Sequence, residues 1–584
     1  MFQMRSLLVA IVTALSLISC ARVGSPVGGD KDTIPPKVLG SNIDSTRVNV
    51  PTSLKELRID FDEYVTLKEA TKNLNISPPI KKLKKILPAN LATKFVLIQW
   101  EDDLQENTTY NFNFGNAIQD NNENNPLPYY NFAFSTGEKI DDIYISGEVQ
   151  DRSRILPPTS PKNRVVGLYK YSDSINYSQK PYYLTRADDD GYYELDYLAP
   201  GTYRIIAFED DNGNSVYEPG REKIAFLRDS IQLDKSVSGL NLDLFPSKKQ
   251  VRYLETKPET GGLLMLFEGN PAKVTLESRS EKLKDYRVTH RQNSDSVRIW
   301  FNAEPQNIGT EATERLEFGY NADGKTGTAT AFYRKPENTE MTIANNAGNL
   351  VPPRSPFIFT SNYQVDKIQP ANWTLNEDSL TAVVFDARIS QTNPMQVLVN
   401  ADFKEGKKYQ LTVPRQTVSS FYNATEKTYR FEFEGDKIEN YGSFEITLKN
   451  RPSGKFWLQL LDSGENVQYQ KYTSDEVIKF PFLKAGVYLV RILADNNGNG
   501  NWDVSDLSSG TFAEDAYVFY KGINVRPLWE IREEWDLTDT RKLDPATIPK
   551  PEVKAPVEEE PDELPNPDIN SGNSAIRDLT VPRR

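Results

Sequence analysis

From Pro35 onward, apolar and polar positions alternate with a period of two in short runs. "LRIDFDEYV" sets Leu57, Ile59 and Phe61 on one face, "TYNFNFGN" does the same with Tyr110, Phe112 and Phe114, and "NFAFSTG" with Phe132 and Phe134. Successive strand side chains point to opposite faces, so this pattern predicts half-buried antiparallel strands. Clusters of Gly, Asn and Pro end the runs, and no helix-period stretch longer than a few turns follows the N-terminal segment. Many short strands at regular spacing predict an all-β chain of tandem β-sandwiches. Tyr (29) and Phe (27) carry much of the apolar weight, which favours strands over helices.

The pattern repeats. "LAPGTYRIIAFEDDNGNSVYE" from Leu198 aligns without gaps to "LKAGVYLVRILADNNGNGNWD" from Leu483, pairing Gly201 with Gly486, Tyr203 with Tyr488 and Asp210 with Asp495. Upstream, "LQENTTYNFNF" from Leu104 falls on "FKEGKKYQLTV" from Phe403, so that Tyr110 meets Tyr409, and Phe132 and Phe134 meet Phe431 and Phe433. Two modules matched in the same order imply a duplicated pair. The expected boundaries are 35–137, 140–248, 250–337, 345–436 and 437–538. Residues 539–584, rich in Pro and Glu and poor in aromatics, are expected to form a disordered tail.

Two segments carry a family resemblance. "FDEYV", "NISPP", "LQENTTYNFNFGNAIQDNNENNPL" and "FAFSTG" resemble the bacterial Ig-like domain that opens many Bacteroidota surface lipoproteins, and "LWEIREEWDL" (Leu528 to Leu537) resembles their closing strand. "DDDGYYELDYLAPGTYRIIAFED" resembles a transthyretin-like or carboxypeptidase-regulatory-like sandwich. The resemblance implies Ig-like sandwiches at 35–137, 250–337 and 345–436, transthyretin-like ones at 140–248 and 437–538, and no catalytic residues to carry over.

The N-terminus suggests a location. Arg5, an apolar run from Leu7 to Ile18, and then Ser19-Cys20 fit a secretory signal peptide at 1–19. Leu17-Ile18-Ser19-Cys20 resembles a lipoprotein box, which implies acylation of Cys20, the one cysteine in the chain, and a lipid anchor in the outer membrane. Residues 20–34 form a Gly/Ser/Pro tether. Its "GGDKD" resembles an export tag for the outer face, so the body is expected to face the cell exterior.

Scarcity excludes several chemistries. One Cys and one His (His290) leave no Cys/His zinc cluster, and either nucleophilic triad type would have to use His290, which lies in the polar stretch "YRVTHRQNS". A net charge of −13 argues against nucleic acid as a partner. The basic run "IKKLKKIL" (Ile80 to Leu87) reads as a strand edge whose lysines discourage edge-to-edge pairing.

One metal candidate remains. In "ADNNGNGNWDVSD", Asp495, Asn497, Asn499, Asn501, Asp503 and Asp506 follow the spacing of a calcium loop, with Gly500 at the sharp turn. Asp210, Asn212, Asn214 and Glu218 form a weaker copy. Structural Ca2+ and an Asx-rich turn that bonds its own backbone remain open alternatives for both. The expected function is a non-enzymatic, surface-exposed lipoprotein presenting a rod of sandwiches as an accessory subunit of an outer-membrane β-barrel complex. The alternative is an adhesin or glycan binder using exposed aromatics such as Trp502.

Overall fold

The computed structural model describes residues 32–156, 162–378 and 380–548. The expected signal peptide, Cys20, most of the expected export tag and residues 549–584 lie outside the described residues. Within them the chain is all-β, with one four-residue α-helix, Ala70–Asn73.

The alternation forms the strands it predicts. In Glu56–Leu67, Leu57, Ile59 and Phe61 are buried, and they meet Phe112, Phe114, Phe132 and Phe134 of the facing sheet in one core. Lys81, Lys82, Lys84 and Lys85 are exposed, and their strand, Leu83–Leu87, ends its sheet and carries a register shift, as expected of a protected edge. One departure is informative. Asn111, on the polar face of Thr109–Gly115, is also buried, because Tyr192–Leu198 of the second module packs near this strand.

The duplication holds to the level of single atoms. In the first module Tyr110 pairs with Phe134, ring centroids 5.7 Å apart at 22°, and its hydroxyl accepts the N–H of Gln105 at 2.8 Å. In the fourth, Tyr409 pairs with Phe433 at the same 5.7 Å and 22°, and its hydroxyl accepts the N–H of Lys404 at 2.8 Å.

The second and fifth modules share one eight-strand plan. The second has a sheet ordered Tyr183–Arg186, Arg164–Lys170, Gly201–Glu209 and Ile224–Phe226, facing Tyr192–Leu198, Ile143–Asp151 and the parallel Leu242–Leu244. The fifth repeats it with Val467–Thr473, Lys455–Leu461, Gly486–Asp495 and Ala516–Val518, facing Val477–Lys484, Tyr441–Lys449 and the parallel Glu530–Asp536. A short eighth strand, Ile231–Leu233 or Ile523–Val525, adds to the long one. The Tyr203 hydroxyl donates to Ala199 O at 3.0 Å, and the Tyr488 hydroxyl to Lys484 O at 2.9 Å.

The third module is a sandwich of four strands (Arg252–Glu259, Gly262–Glu268, Ser296–Trp300, Arg287–His290) on three (Val274–Ser278, Glu314–Ala322, Lys325–Tyr333). Its Trp300 is buried in the core of the fourth module, 6.0 Å from the ring of Tyr363. The fourth continues into the fifth through Asp436, which accepts the Tyr441 hydroxyl at 2.7 Å.

The modules do not form the expected rod. The fifth folds back onto the second, so that chain connection and contact together close modules two to five into a circuit. The chain also stays packed beyond the expected start of the tail at 539. Leu543 and Ile548 lie against Leu461 and Leu489 of the fifth module, and Gly522 N–H donates to Thr547 Oγ1 at 2.9 Å.

Candidate functional site

The two Asx-rich loops share one pattern of hydrogen bonds. Each begins with a buried aspartate at the end of a long central strand: Asp210 directly follows Gly201–Glu209, and Asp495 ends Gly486–Asp495. In the first loop, Asp210 Oδ1 accepts Asn214 N–H and its Oδ2 accepts Ser215 N–H, both at 3.0 Å. In the second, Asp495 accepts Asn499 N–H and Gly500 N–H, again both at 3.0 Å. Asn212 and Asn497 accept the same Asn214 and Asn499 N–H groups at 2.9 and 3.0 Å. The side-chain amides of Asn212 and Asn214 donate to Glu218 Oε1, while those of Asn497 and Asn499 donate to Asp503 Oδ2. Asn501 donates its N–H to Asn499 Oδ1 at 2.7 Å.

A second carboxylate closes each loop, and the spacing in sequence did not point to it. Glu222 Oε1 accepts Asp211 N–H at 3.2 Å and Oε2 accepts Glu218 N–H at 2.8 Å. Glu514 takes the equivalent bonds from Asn496 (2.6 Å) and Asp503 (3.0 Å). Both are buried. Glu222 follows Glu218 by four residues and Glu514 follows Asp503 by eleven, so a gapless alignment separates them. The available signal was the next strand: each glutamate stands two residues before it, Ile224–Phe226 or Ala516–Val518. Burial pushes the Glu222 carboxyl up to about 7.

Asp506, expected as the last ligand, is not brought to the loop. Its Oδ1 accepts Ser508 N–H at 3.0 Å and the Ser508 hydroxyl, and Lys248 Nζ stands 4.0 Å away. The strand beside each aspartate supplies one further donor. Arg186 reaches Asp210 Oδ2 at 3.3 Å and Ser215 Oγ at 2.9 Å, and the Tyr472 hydroxyl donates to Asp495 Oδ2 at 2.5 Å. Burial opposes ionisation of Asp495, but the Tyr472 hydroxyl and the loop N–H groups outweigh it, and the carboxyl stays below its ordinary range. The loop oxygens therefore have hydrogen-bond partners of their own, the arrangement of an Asx turn. Among the described residues no three His, Cys, Asp or Glu side chains are gathered to hold a metal.

The extra residues of the second loop dock on the second module. Ser505 N–H donates to Pro246 O at 3.0 Å, and Lys248 N–H to Ser505 O at 2.8 Å. Phe512 stacks on Phe226 at 4.7 Å, and with Leu507 it covers a cluster containing Val165, Ile206 and Phe208. Trp502 is half-buried. Its indole N–H donates to Glu514 O at 2.9 Å and its ring lies 6.2 Å from Phe245, so it offers no free aromatic platform. A second contact joins Ile155 to Leu461 and Leu489, with Leu156 N–H on Glu465 Oε1 at 3.2 Å. Between the two contacts lies a cavity of about 720 Å³, lined by residues that include Arg152, Arg164, Tyr517, Trp535 and Arg541. The His290 ring is hydrogen-bonded through Nε2 to the backbone oxygen of Ser294 at 3.0 Å.

Residues 32–136 match the family described as a bacterial Ig-like domain. No curated protein matches the chain. Among solved structures, the Bacillus anthracis TIE protein is similar at 11% identity over 87% of this chain and 75% of its own, with a TM-score of 0.12. Surface layer protein SbsC, domains 1-6, is similar at 9% identity over 84% and 67%, with a TM-score of 0.14. The BSP domain of a biofilm associated protein is similar at 10% identity over 83% and 94%, with a TM-score of 0.14. Likeness at this level carries no conclusion about what this chain does.

Proposed function

We propose that this chain is a non-enzymatic scaffold: a lipoprotein held at the outer membrane by an acylated Cys20, facing the cell exterior and serving as an accessory subunit of an outer-membrane β-barrel complex. The observation that supports a scaffold is the closed circuit of four sandwiches, latched by the segment from Trp502 to Phe512. Such a circuit resists relative motion of its modules better than a linear string joined by single linkers, because opening it breaks two contacts at once. The polar loops brace this latch. Their polar groups bond one another, so saturating calcium is expected to leave the melting temperature unchanged. A rise of several degrees that Asp495→Asn abolishes would identify calcium as a structural ligand.

The anchor is checked by metabolic labelling with a fatty acid, which Cys20→Ser should eliminate. The partner is checked by mild-detergent capture through a C-terminal tag. Co-purification of a barrel protein supports the reading, and recovery of the chain alone overturns it. The adhesin reading draws on a different feature, the stacked pair Trp457–Tyr472 at 4.6 Å on the fifth module, of which Tyr472 is exposed. Glycan-array binding lost in Trp457→Ala would favour it over the accessory role.

A further inference from the structure

The cavity between the second and fifth modules carries chemistry that the latch does not use. At about 720 Å³ it has the size of a small-molecule site, and such sites concentrate where domains meet. Much of its wall is apolar: Ile155 and Leu156 come from the second module, and Tyr517, Val518 and Leu543 from the fifth. Three of its acids are already paired, Asp151 with Lys223, Asp243 with Arg152 and Asp539 with Arg541. The other two, Asp190 and Asp515, are exposed, where water and salt screen them.

Two cations of the wall are not matched in this way. Arg164 is only 9% exposed. Its Nη1 donates to Val149 O at 3.2 Å, but its buried Nε–H meets no acceptor, and its Nη2 makes no hydrogen bond among the described residues. Its one ion-pair partner, Glu209, keeps Oε1 3.9 Å from Nε, beyond hydrogen-bond reach, and is not part of the cavity wall. Arg154 is half-buried and has no ion pair or side-chain hydrogen bond among the described residues. A buried charge is stable only when it is paired and hydrogen-bonded. A guanidinium short of acceptors at a cavity wall therefore favours an anionic acceptor inside, and its planar fork suits carboxylate and phosphate oxygens.

We propose that this cavity binds a small aliphatic oxyanion, a fatty carboxylate or a monoalkyl phosphate, with its head on Arg154 and Arg164 and its chain against Leu156, Tyr517 and Val518. The two heads share one chemistry, a compact set of acceptor oxygens with negative charge. The aliphatic body follows from the wall, which removes apolar surface from water on both sides of the cavity. Because the wall is built from two modules that meet only in the closed circuit, the site is a product of closure and belongs to neither module alone.

The test is titration calorimetry of the full chain carrying Cys20→Ser with octanoate, octyl phosphate and octanol, each to about 2 mM, a range that populates a weak site. At least one of the two anions is expected to bind with a Kd below about 1 mM, and octanol about tenfold more weakly or not at all. The tighter anion identifies the head, carboxylate or phosphate. Arg164→Gln and Arg154→Gln should each weaken the anion about tenfold, the size of one lost charged hydrogen bond. Arg164→Gln also strands Glu209, so Arg154→Gln is the deciding variant: it breaks no ion pair or side-chain hydrogen bond among the described residues. Ala516→Trp, which fills the cavity from its wall, should abolish binding while far-UV circular dichroism stays unchanged. No binding of either anion overturns the inference, as does octanol binding as tightly as the anions. So does anion binding that persists in both Arg154→Gln and Ala516→Trp, since the anion would then sit elsewhere.

Discussion

Glu514 shows how one buried carboxylate organises a loop. It takes three N–H groups, from Asn496, Asn497 and Asp503, and lies almost wholly out of solvent. Its removal strands those donors, and Glu514→Ala is expected to cost about 2 kcal/mol in urea unfolding. Asp506→Ala, which loses local bonds to Ser508 and a long ion pair with the exposed Lys248, should cost less than about 1 kcal/mol. Equal costs would return Asp506 to the loop. The tyrosine pair is a parallel case: Tyr110→Phe and Tyr409→Phe each unpair one backbone N–H and should each cost about 1 to 2 kcal/mol. Two carboxyls of the second module are held high, Glu222 and Asp196, both pushed up to about 7 by burial, with Glu194 adding repulsion at Asp196. A raised carboxyl stabilises the fold most below its unfolded value, and that contribution is lost as pH climbs through the folded one. The melting temperature is therefore expected to fall between about pH 4.5 and pH 7, and Glu222→Gln should flatten that profile.

At the scale of elements, the latch is an insertion in a repeated turn. The first loop passes from Glu218 to Glu222 directly, whereas the second spends the intervening residues on Ser505, Leu507 and Phe512, all of which touch the second module. Phe512→Ala removes the ring stacked on Phe226 and should destabilise the chain by about 1 to 3 kcal/mol, less than a fully buried phenylalanine because Phe512 is only half-buried. Phe226→Ala should have a similar effect, and the double variant should cost less than the sum of the two. Additive costs would show that the two rings do not act as a pair. The lysine-rich edge was legible from its charges alone, while the cavity exists only where the second and fifth modules meet.

For the whole molecule, closure is the property that matters. Leu507→Asp combined with Phe512→Asp puts two charges into an apolar contact, and the chain should open. Small-angle scattering should then show a larger radius of gyration while far-UV circular dichroism keeps its β signature. An unchanged radius would mean that the Ile155–Leu461 contact suffices. The expected rod failed because module order along a chain says which neighbours are tethered, not which distant ones meet.

The sequence by itself determined the strands, the sandwich class, the duplicated pair and the Asx loops. Each of these rests on local alternation, on turn chemistry or on matched spacing, which a chain states without reference to distant residues. The boundary at 539 was misread because the apolar contacts of Leu543 and Ile548 are sparse in sequence and exist only against Leu461 and Leu489. Only the tertiary structure decided that Glu514 and not Asp506 closes the loop, that Trp502 faces inward, and that the fifth module returns to the second. Those outcomes depend on surfaces brought together across hundreds of residues, and no periodicity along the chain encodes such a meeting.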